Sequence, residues 1–279
     1  RGDGGVMDIA EMRRRPAMTM LSGPAASVAG ALMHLKVTDG IYFEVGGTST
    51  NVGVIRNGRP TVAYAHVGGH ETYVNSLDVR VLGIAGGSLI RVRDGDLVDV
   101  GPRSAHIAGL PYAAFAEPED ISSPRVVSFR PREGDTDDYV AIETVYGRRF
   151  ALTTTCAANV AGYAQAGMHA HGNPLAAQAA FDCLGAVMGC DGQTAARRVL
   201  ECAAGKVIPV VEGLARHYHL EREDLKLVGE GGGAGALVPF VAEAMGLEHE
   251  ISRDAEVISS IGAALALVRD VVERVVPHP

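Results

Sequence analysis

The sequence predicts an α/β fold in which a mixed sheet is flanked by helices and a small ligand is met at strand ends. Three observations carry that prediction. Residues 41–55 read as strand, glycine loop, strand: the apolar run Ile41-Tyr42-Phe43 passes through Glu44-Val45 into Gly46-Gly47-Thr48-Ser49-Thr50-Asn51, and Val52-Gly53-Val54-Ile55 follows. Residues 225–264 read as strand, triple glycine, helix, strand and closing helix, the order of an α/β layer with a site at its strand ends. Glycine supplies 35 of the 279 residues, well above ordinary usage. It gathers in pairs and triplets without a fixed period, which argues against collagen or a solenoid and for several special loops.

The elements follow in chain order. Ser22-Gly23-Pro24 opens a small-residue helix running to about Leu35, with Ser22 as its cap and Ala25, Ala26, Ala29 and Ala31 suited to close packing. After the strand pair, Asn57-Gly58 invites a turn, and Thr61 to Val67 is a further strand before a Gly68-Gly69 turn. Residues 70–110 alternate short β-like runs with loops, and Asp94-Gly95-Asp96 is a hairpin turn. Ala116 to Asp138 is dense in Pro, Ser, Glu and Asp and reads as a surface excursion. Tyr139 to Phe150 makes strands, and Leu175 to Met188 a helix. Thr194 to about His219 has the rhythm of one long helix or a helix pair, with Gly205 and Pro209 as interruptions. Leu225 to Gly229 is a short strand. Ala236 to Met245 is a helix ending near Gly246, and Leu247 to Ile251 a second strand. In the closing helix, Ser260-Ile261-Gly262-Ala263-Ala264 lets another helix come near.

Composition excludes several classes. A net charge of −8 disfavours a general nucleic-acid binder, because nothing neutralises a phosphate backbone broadly. Arg13-Arg14-Arg15, ahead of Pro16, reads as a solvated surface run. No apolar stretch reaches membrane-spanning length and no signal peptide is visible. The four cysteines, Cys156, Cys183, Cys190 and Cys202, show no Cys-x-x-Cys pairing, which fits reduced thiols and a cytoplasmic protein. The chain starts at Arg1-Gly2-Asp3 rather than methionine, so it reads as a processed subunit or the later part of a longer polypeptide.

The chemistry centres on the first glycine loop. Adjacent Gly46 and Gly47 let backbone approach a ligand closely. Exposed N–H groups with the hydroxyls of Thr48, Ser49 and Thr50 suit phosphate oxygens or an ordered water. Glu44 sets a carboxylate at the mouth of that loop, where it can orient a hydrated divalent cation. Gly231, Gly232 and Gly233 form the natural partner, since a side chain there would obstruct a flat adenine or a ribose. Neither Gly-x-Gly-x-x-Gly with its ribose carboxylate nor Gly-x-x-x-x-Gly-Lys-Ser/Thr is present, so a P-loop or ordinary dinucleotide fold is disfavoured. The pairs His169/His171 and His217/His219 offer a competing metal-dependent amidohydrolase reading, most readily through His169 and His171, although no His-Glu-x-x-His helix occurs. Cys156, Asp78 and the group His66, His70 and Glu71 are lesser candidates for nucleophilic or acid–base work.

Taken together, these segments resemble the hydantoinase/oxoprolinase family of the sugar kinase, Hsp70 and actin-like ATPase superfamily. The resemblance rests on Gly2-Asp3-Gly4-Gly5, Arg15-Pro16, Ser22-Gly23-Pro24-Ala25, Gly46-Gly47-Thr48-Ser49-Thr50, Gly86-Gly87-Ser88, Val100-Gly101-Pro102-Arg103-Ser104-Ala105 and Gly231–Gly233, in family order over nearly the whole chain. It implies an actin-like (ribonuclease H-like) ATPase fold with an inserted β-rich region. On this reading residues 1–67 start an actin-like lobe with its phosphate hairpin, 68–138 form the insertion, and 139–279 complete the lobe. It also implies ATP and Mg²⁺ in a cleft between two lobes, and activation of a cyclic amide or related carbonyl for C–N hydrolysis, or work as an ATP-dependent carboxylase subunit. The Glu44 loop corresponds to the family's second phosphate motif, Gly231–Gly233 to its adenosine motif, and Ser260–Ala264 to its second connecting helix. The first phosphate motif has no counterpart here, which implies a missing N-terminal lobe or partner subunit within a homo- or hetero-oligomer. The family pattern has aspartate at the positions of Glu44 and Asn51. Glu44 keeps the charge one methylene further out, and Asn51 loses it. That leaves a nucleotide-binding regulatory or assembly subunit with little turnover as the alternative.

Overall fold

The computed structural model describes residues 1–34, 39–67 and 70–268. In chain order the elements are α1 (Ile9–Arg14), α2 (Ser22–His34), β1 (Gly40–Val45), β2 (Thr50–Arg56), β3 (Arg59–Pro60), β4 (Val62–Val67), β5 (His70–Leu77), β6 (Val79–Leu82), β7 (Ser88–Arg93), β8 (Asp96–Ser104) and α3 (Ala105–Ala108). They continue with β9 (Arg125–Phe129), β10 (Tyr139–Glu143), β11 (Arg149–Ala151), α4 (Thr154–Val160), α5 (Pro174–Val187), α6 (Gly192–His217), β12 (Lys226–Glu230), α7 (Ala234–Met245), β13 (Glu248–Ile251) and α8 (Ile258–Leu265).

The main sheet runs β13-β12-β1-β2-β3, with β6 also pairing β2. It is mixed: β1 pairs β12 in parallel and β2 antiparallel. Alternation along β1 explains its place at the centre. Ile41, Phe43 and Val45 turn to one face, where they join Val52, Val54 and the apolar sides of α4 to α7 in the main core. Tyr42 turns to the other face and packs with Ala25 and Val28 of α2 and with Ile55, Leu77 and Val79. A strand buried on both faces needs a near-continuous apolar run, which Ile41-Tyr42-Phe43 supplies.

A second sheet, β11-β10-β7-β8 with β9 on β10, packs into the same main core. Residues 116–138 are therefore not only a surface excursion. Arg125-Val126-Val127-Ser128-Phe129 is β-branched and pairs along β10 from Tyr139↔Phe129 to Glu143↔Arg125. The pairing crosses position 138. Asp138, buried just ahead of β10, takes hydrogen bonds from Arg91 at 2.9 and 3.0 Å and from Arg93 at 2.8 Å.

One helix decides between the alternatives of the sequence reading, and the start of another departs from it. The segment around Gly205 and Pro209 is one continuous 26-residue helix, α6. Its buried stripe of Ala195, Val199, Ala203, Val207, Val211 and Leu214 continues through the proline, so packing outweighs the one backbone bond that proline forfeits. At the start of α2, Ala25 N–H donates to Leu21 C=O at 3.0 Å and Leu21 has φ +57°, which places the cap one residue before Ser22. The C-terminal end of that helix near Leu35 and the Gly68-Gly69 turn lie outside the described residues. Other expectations match: Asn57 and Gly58 turn with φ of 51° and 66°, Asp94 and Gly95 with 53° and 86°, and Gly246 ends α7 at φ 63°.

Helices α2 and α8 cross beneath the main sheet with almost no space between them. A Cβ on Gly262 would overlap the Ala26 carbonyl, and one on Gly30 would lie 2.5 Å from the Ile258 carbonyl. The small residues of the closing helix thus serve a backbone-to-backbone crossing.

Candidate active site

Two glycine loops leave the ends of the parallel pair β1 and β12 side by side. Gly233 N–H donates to Val45 C=O at 2.9 Å, and Gly231 N–H to Ala255 C=O at 2.8 Å. Gly231 has φ +82°, and a side chain there would overlap the Val45 carbonyl. A Cβ on Gly233 would sit 2.7 Å from the Gly46 oxygen. The Gly86-Gly87 segment braces the first loop from another side, its amides donating to Gly46 and Gly47 carbonyls, each at 3.1 Å. Thr155 N–H and the Thr154 hydroxyl hold Gly86 C=O in turn, at 2.8 and 2.9 Å. Three glycine segments distant in sequence are locked backbone to backbone.

Above them lies a cleft of about 440 Å³, lined by Gly46, Gly47, Gly232 and Gly233 together with Thr155, His106, His169, Tyr112, Phe115, Leu110 and Pro111. Among the described residues nothing accepts a hydrogen bond from the amides of Gly47, Thr48 and Gly232. Loop amides without a protein acceptor form a cradle for an anion such as a phosphate, with the His106 and His169 rings packed against Gly47 and Gly232. A triphosphate nucleotide fits this donor set.

The three hydroxyls of the hairpin differ. Thr48 is exposed at the tip, and its Oγ1 lies 2.9 Å from Ser104 Oγ. Ser49 is half-buried, and among the described residues its hydroxyl has no partner. Thr50 is fully buried and donates to Ile84 C=O at 2.6 Å, so its side chain holds the loop in place while its backbone continues the hairpin.

On the α2 side of the sheet the strand register builds a polar row. Glu44 stands opposite Asn51 on β2 and Glu230 on β12. Asn51 Nδ2 donates to Glu44 Oε2 at 2.8 Å. Glu230 is 0 % exposed, and among the described residues neither carboxylate oxygen has a hydrogen-bond partner. Burial, then the charge of Glu44, pushes the Glu230 carboxyl up to about 9. The Tyr42 hydroxyl is likewise buried without a partner. Burial first, then Glu230 and Glu44, drive its pKa well above the ordinary range. The carboxylates are hard oxygen donors of the kind that Mg²⁺ accepts from one or two protein groups while keeping its waters and phosphate ligands. Mg²⁺ fits Glu44.

The histidine pairs separate. His169 borders the cleft, 2.7 Å from where a Cβ on Gly232 would stand, whereas His171 Nδ1 lies 2.8 Å from Ala164 O. His217 packs edge-on against Tyr218 at the end of α6. Among the described residues no group of three or more His, Cys, Asp or Glu is placed to hold a metal. Cys156 is buried and burial raises its thiol pKa, with Thr153 bonding its sulfur, which suits packing rather than attack. Asp78 is held by Arg80 and by the Tyr218 hydroxyl at 2.5 Å. His70 lies in the two-stranded β4–β5 ribbon and is not among the cleft-lining residues.

Several site residues were hidden in the sequence. His106 on α3 and Tyr112 in the loop beyond it reach the cleft, 3.3 Å apart (Nε2 to Oη), and burial pushes the Tyr112 phenol up to about 12. Tyr112 stacks on Phe115 with ring centroids 5.4 Å apart. No local pattern marks these four-residue-scale turns. Glu230, directly before the triple glycine, was equally unmarked.

A mixed sheet flanked by helices, with glycine loops paired at its strand ends, is the arrangement expected of an actin-like fold. The chain belongs to the hydantoinase/oxoprolinase family, whose profile matches residues 1–272. It is 28 % identical over 121 residues to an uncharacterized protein of Methanocaldococcus jannaschii, covering 38 % of this chain and 18 % of that one. In structure it is similar to a nucleotide-free acetone carboxylase of ATP-dependent acetone carboxylation (TM-score 0.64, 19 % identity, 95 % of this chain and 34 % of that). It is also similar to the ATP-dependent caprolactamase of Pseudomonas jessenii (TM-score 0.59, 22 % identity, 88 % and 32 %). The chain thus spans about a third of the solved chains it matches. Among the described residues no helix is long and apolar enough to cross a membrane.

Proposed function

We propose that this chain forms one wall of an ATP- and Mg²⁺-dependent site that activates a carbonyl, with a cyclic amide opened by C–N hydrolysis as the first substrate class. The observation that carries the reading is the cradle itself: two glycine loops joined at Val45 and Gly233, with the amides of Gly47, Thr48 and Gly232 free of protein acceptors. Both enzymes of similar fold are ATP-dependent, and one is a lactamase while the other carboxylates a ketone. When bound, ATP supplies the phosphoryl group that turns a poorly reactive carbonyl into an activated one.

In this reading Gly46 and Gly47 let the phosphates approach the backbone, and Thr48 and Ser49 add hydroxyls at the hairpin tip. Thr50 keeps that tip in register through its bond to Ile84. Gly231, Gly232 and Gly233 leave room for the adenosine. Glu44 orients the cation or the attacking water, held in place by Asn51. Positioning and electrostatic stabilisation of this kind are the main protein contributions to phosphoryl transfer. A second lobe or subunit completes the site, in a homo- or hetero-oligomer, consistent with solved chains some three times as long.

Calorimetry of ATP with and without Mg²⁺ tests the reading: Mg²⁺-dependent heat is expected, together with loss of affinity in Gly232→Val. A folded full-length protein showing no ATP binding would overturn it. The neutral Asn51 amide on Glu44 favours a second reading, a nucleotide-binding regulatory subunit with little turnover. Retained binding with no ATP hydrolysis across amide, lactam and ketone substrates would select it.

A further inference from the structure

Glu230 poses a problem that the nucleotide cradle does not solve. A carboxyl group with 0 % exposure and no protein donor to either oxygen is expensive, and native proteins keep such groups only with a reason. The ordinary reasons are missing. Among the described residues no Lys, Arg or His forms an ion pair with Glu230 or Glu44. The next amide along the chain, Gly231 N–H, is already given to Ala255. What stands beside Glu230 is a second carboxylate, Glu44, at the matching position of a parallel strand.

A second orphaned group marks the same place. Tyr42 lies two residues before Glu44 and so on the same face of β1. Its ring lies over Gly53, where a Cβ would come within 2.8 Å of the hydroxyl oxygen. That hydroxyl is buried at 1 % exposure without a protein partner. Two unpartnered Glu230 oxygens thus stand beside a half-exposed carboxylate that has one oxygen bonded to Asn51, with the Tyr42 hydroxyl buried on the same face. Oxygen-only donors beside the Glu44 carboxylate, with an opening to solvent at Glu44, suit a hard divalent cation.

We infer that Glu230 is a second carboxylate ligand, so that one divalent cation is held by the Glu44–Glu230 pair rather than by Glu44 alone, with the Tyr42 hydroxyl supporting it from the buried side. The inference rests on the reading of Glu44 as a cation ligand. It gives the pair one purpose: the cation supplies the positive charge that no side chain brings, and Glu230 fixes that charge at the root of the adenosine loop. Coupling follows, because β12 then reports cation occupancy directly to Gly231–Gly233.

The test uses the full chain freed of metal with EDTA and then titrated with Mn²⁺ alone, followed by electron paramagnetic resonance of the free ion. Thermal melting in EDTA checks the fold of each variant. The wild type should bind one Mn²⁺ per chain. Glu44→Gln and Glu230→Gln should each weaken binding at least tenfold, and the double variant should be little worse than either single, as expected for one shared site. Glu230→Asp, which keeps the charge but withdraws it by one methylene, should also weaken binding and serves if the glutamine variant does not fold. Wild-type affinity in Glu230→Gln beside weakened binding in Glu44→Gln would overturn the role of Glu230 and leave the Glu44 reading intact. Absence of Mn²⁺ binding in the wild type would overturn both.

Discussion

Replacing Glu230 by glutamine keeps the shape of the side chain and removes its titration. In the unfolded chain this carboxyl ionises near 4.5, whereas in the folded chain burial and Glu44 hold its proton to about 9. Between those values the folded state binds more protons than the unfolded state, so stability falls as pH rises. The contribution is fully present below about 4.5 and is lost progressively towards 9. The slope is about 1.4 kcal/mol per pH unit, so about 4 kcal/mol is at stake between pH 5 and pH 8. That is a large fraction of the ~5–15 kcal/mol that typically holds a domain folded. Glutamine cannot ionise and lacks this slope. The variant should therefore lie close to the wild type at pH 5 and exceed it by roughly 2–4 kcal/mol at pH 8, less whatever its own buried amide costs. The chain has no tryptophan, so urea unfolding is best followed by far-ultraviolet circular dichroism, in EDTA and without nucleotide. A difference between variant and wild type that stays constant from pH 5 to pH 8 would refute the reasoning.

Three other perturbations have defined outcomes. Gly262→Ala drives a methyl into the Ala26 carbonyl at the α2–α8 crossing and should cost roughly 1–3 kcal/mol in urea unfolding, the usual range for overpacking. Gly233→Ala sets a Cβ 2.7 Å from the Gly46 oxygen; ATP affinity by calorimetry should fall at least tenfold, more than the change in melting temperature alone would explain. Asp138→Asn removes the partner of Arg91 and Arg93 and should cost about 2–3 kcal/mol, between exposed and fully buried ion pairs. The same guanidinium groups hold the Asp138 carboxyl well below the usual carboxylate range. Its stabilisation is thus complete above the ordinary value near 3.8 and is lost as pH falls through the lower folded value. Acid titration by circular dichroism should show the wild type losing more stability than Asp138→Asn in that window, since Asp135, Glu143 and Asp191 titrate in both.

Local chemistry made the first hairpin legible. Ile41-Tyr42-Phe43, the paired glycines and the valines of β2 agree on one structure, and β1 and β2 fall where the pattern puts them. The last third was readable for the same reason, down to Gly246 ending α7. Pro209 left one helix or two open because its cost is local while the compensation is not: the stripe from Ala195 to Leu214 packs on elements that the sequence does not place nearby. Strand β9 was obscured by the prolines and acids around it, although Val126 and Val127 gave the β-branched signal. Within the site, the two glycine loops could be named but their clasp could not, because parallel pairing of β1 with β12 is invisible to any window of sequence. The same blindness hid Glu230. A glutamate beside a glycine run reads as a solvent-facing loop residue until the strand that covers it is known.

That parallel pairing has a consequence for the order in which the molecule is made. Nearly two hundred residues separate β1 from β12. At translation speeds of about 5–20 residues per second, β1 emerges roughly 10–40 s before its partner. Until then β1 has only β2 on one edge and offers the other to any strand that comes near. Closing so long a loop costs on the order of 5 kcal/mol in chain entropy, repaid only when both glycine loops meet. The cradle therefore exists only after β12 has been made, and any ligand that prefers it selects molecules in which β1 and β12 have paired.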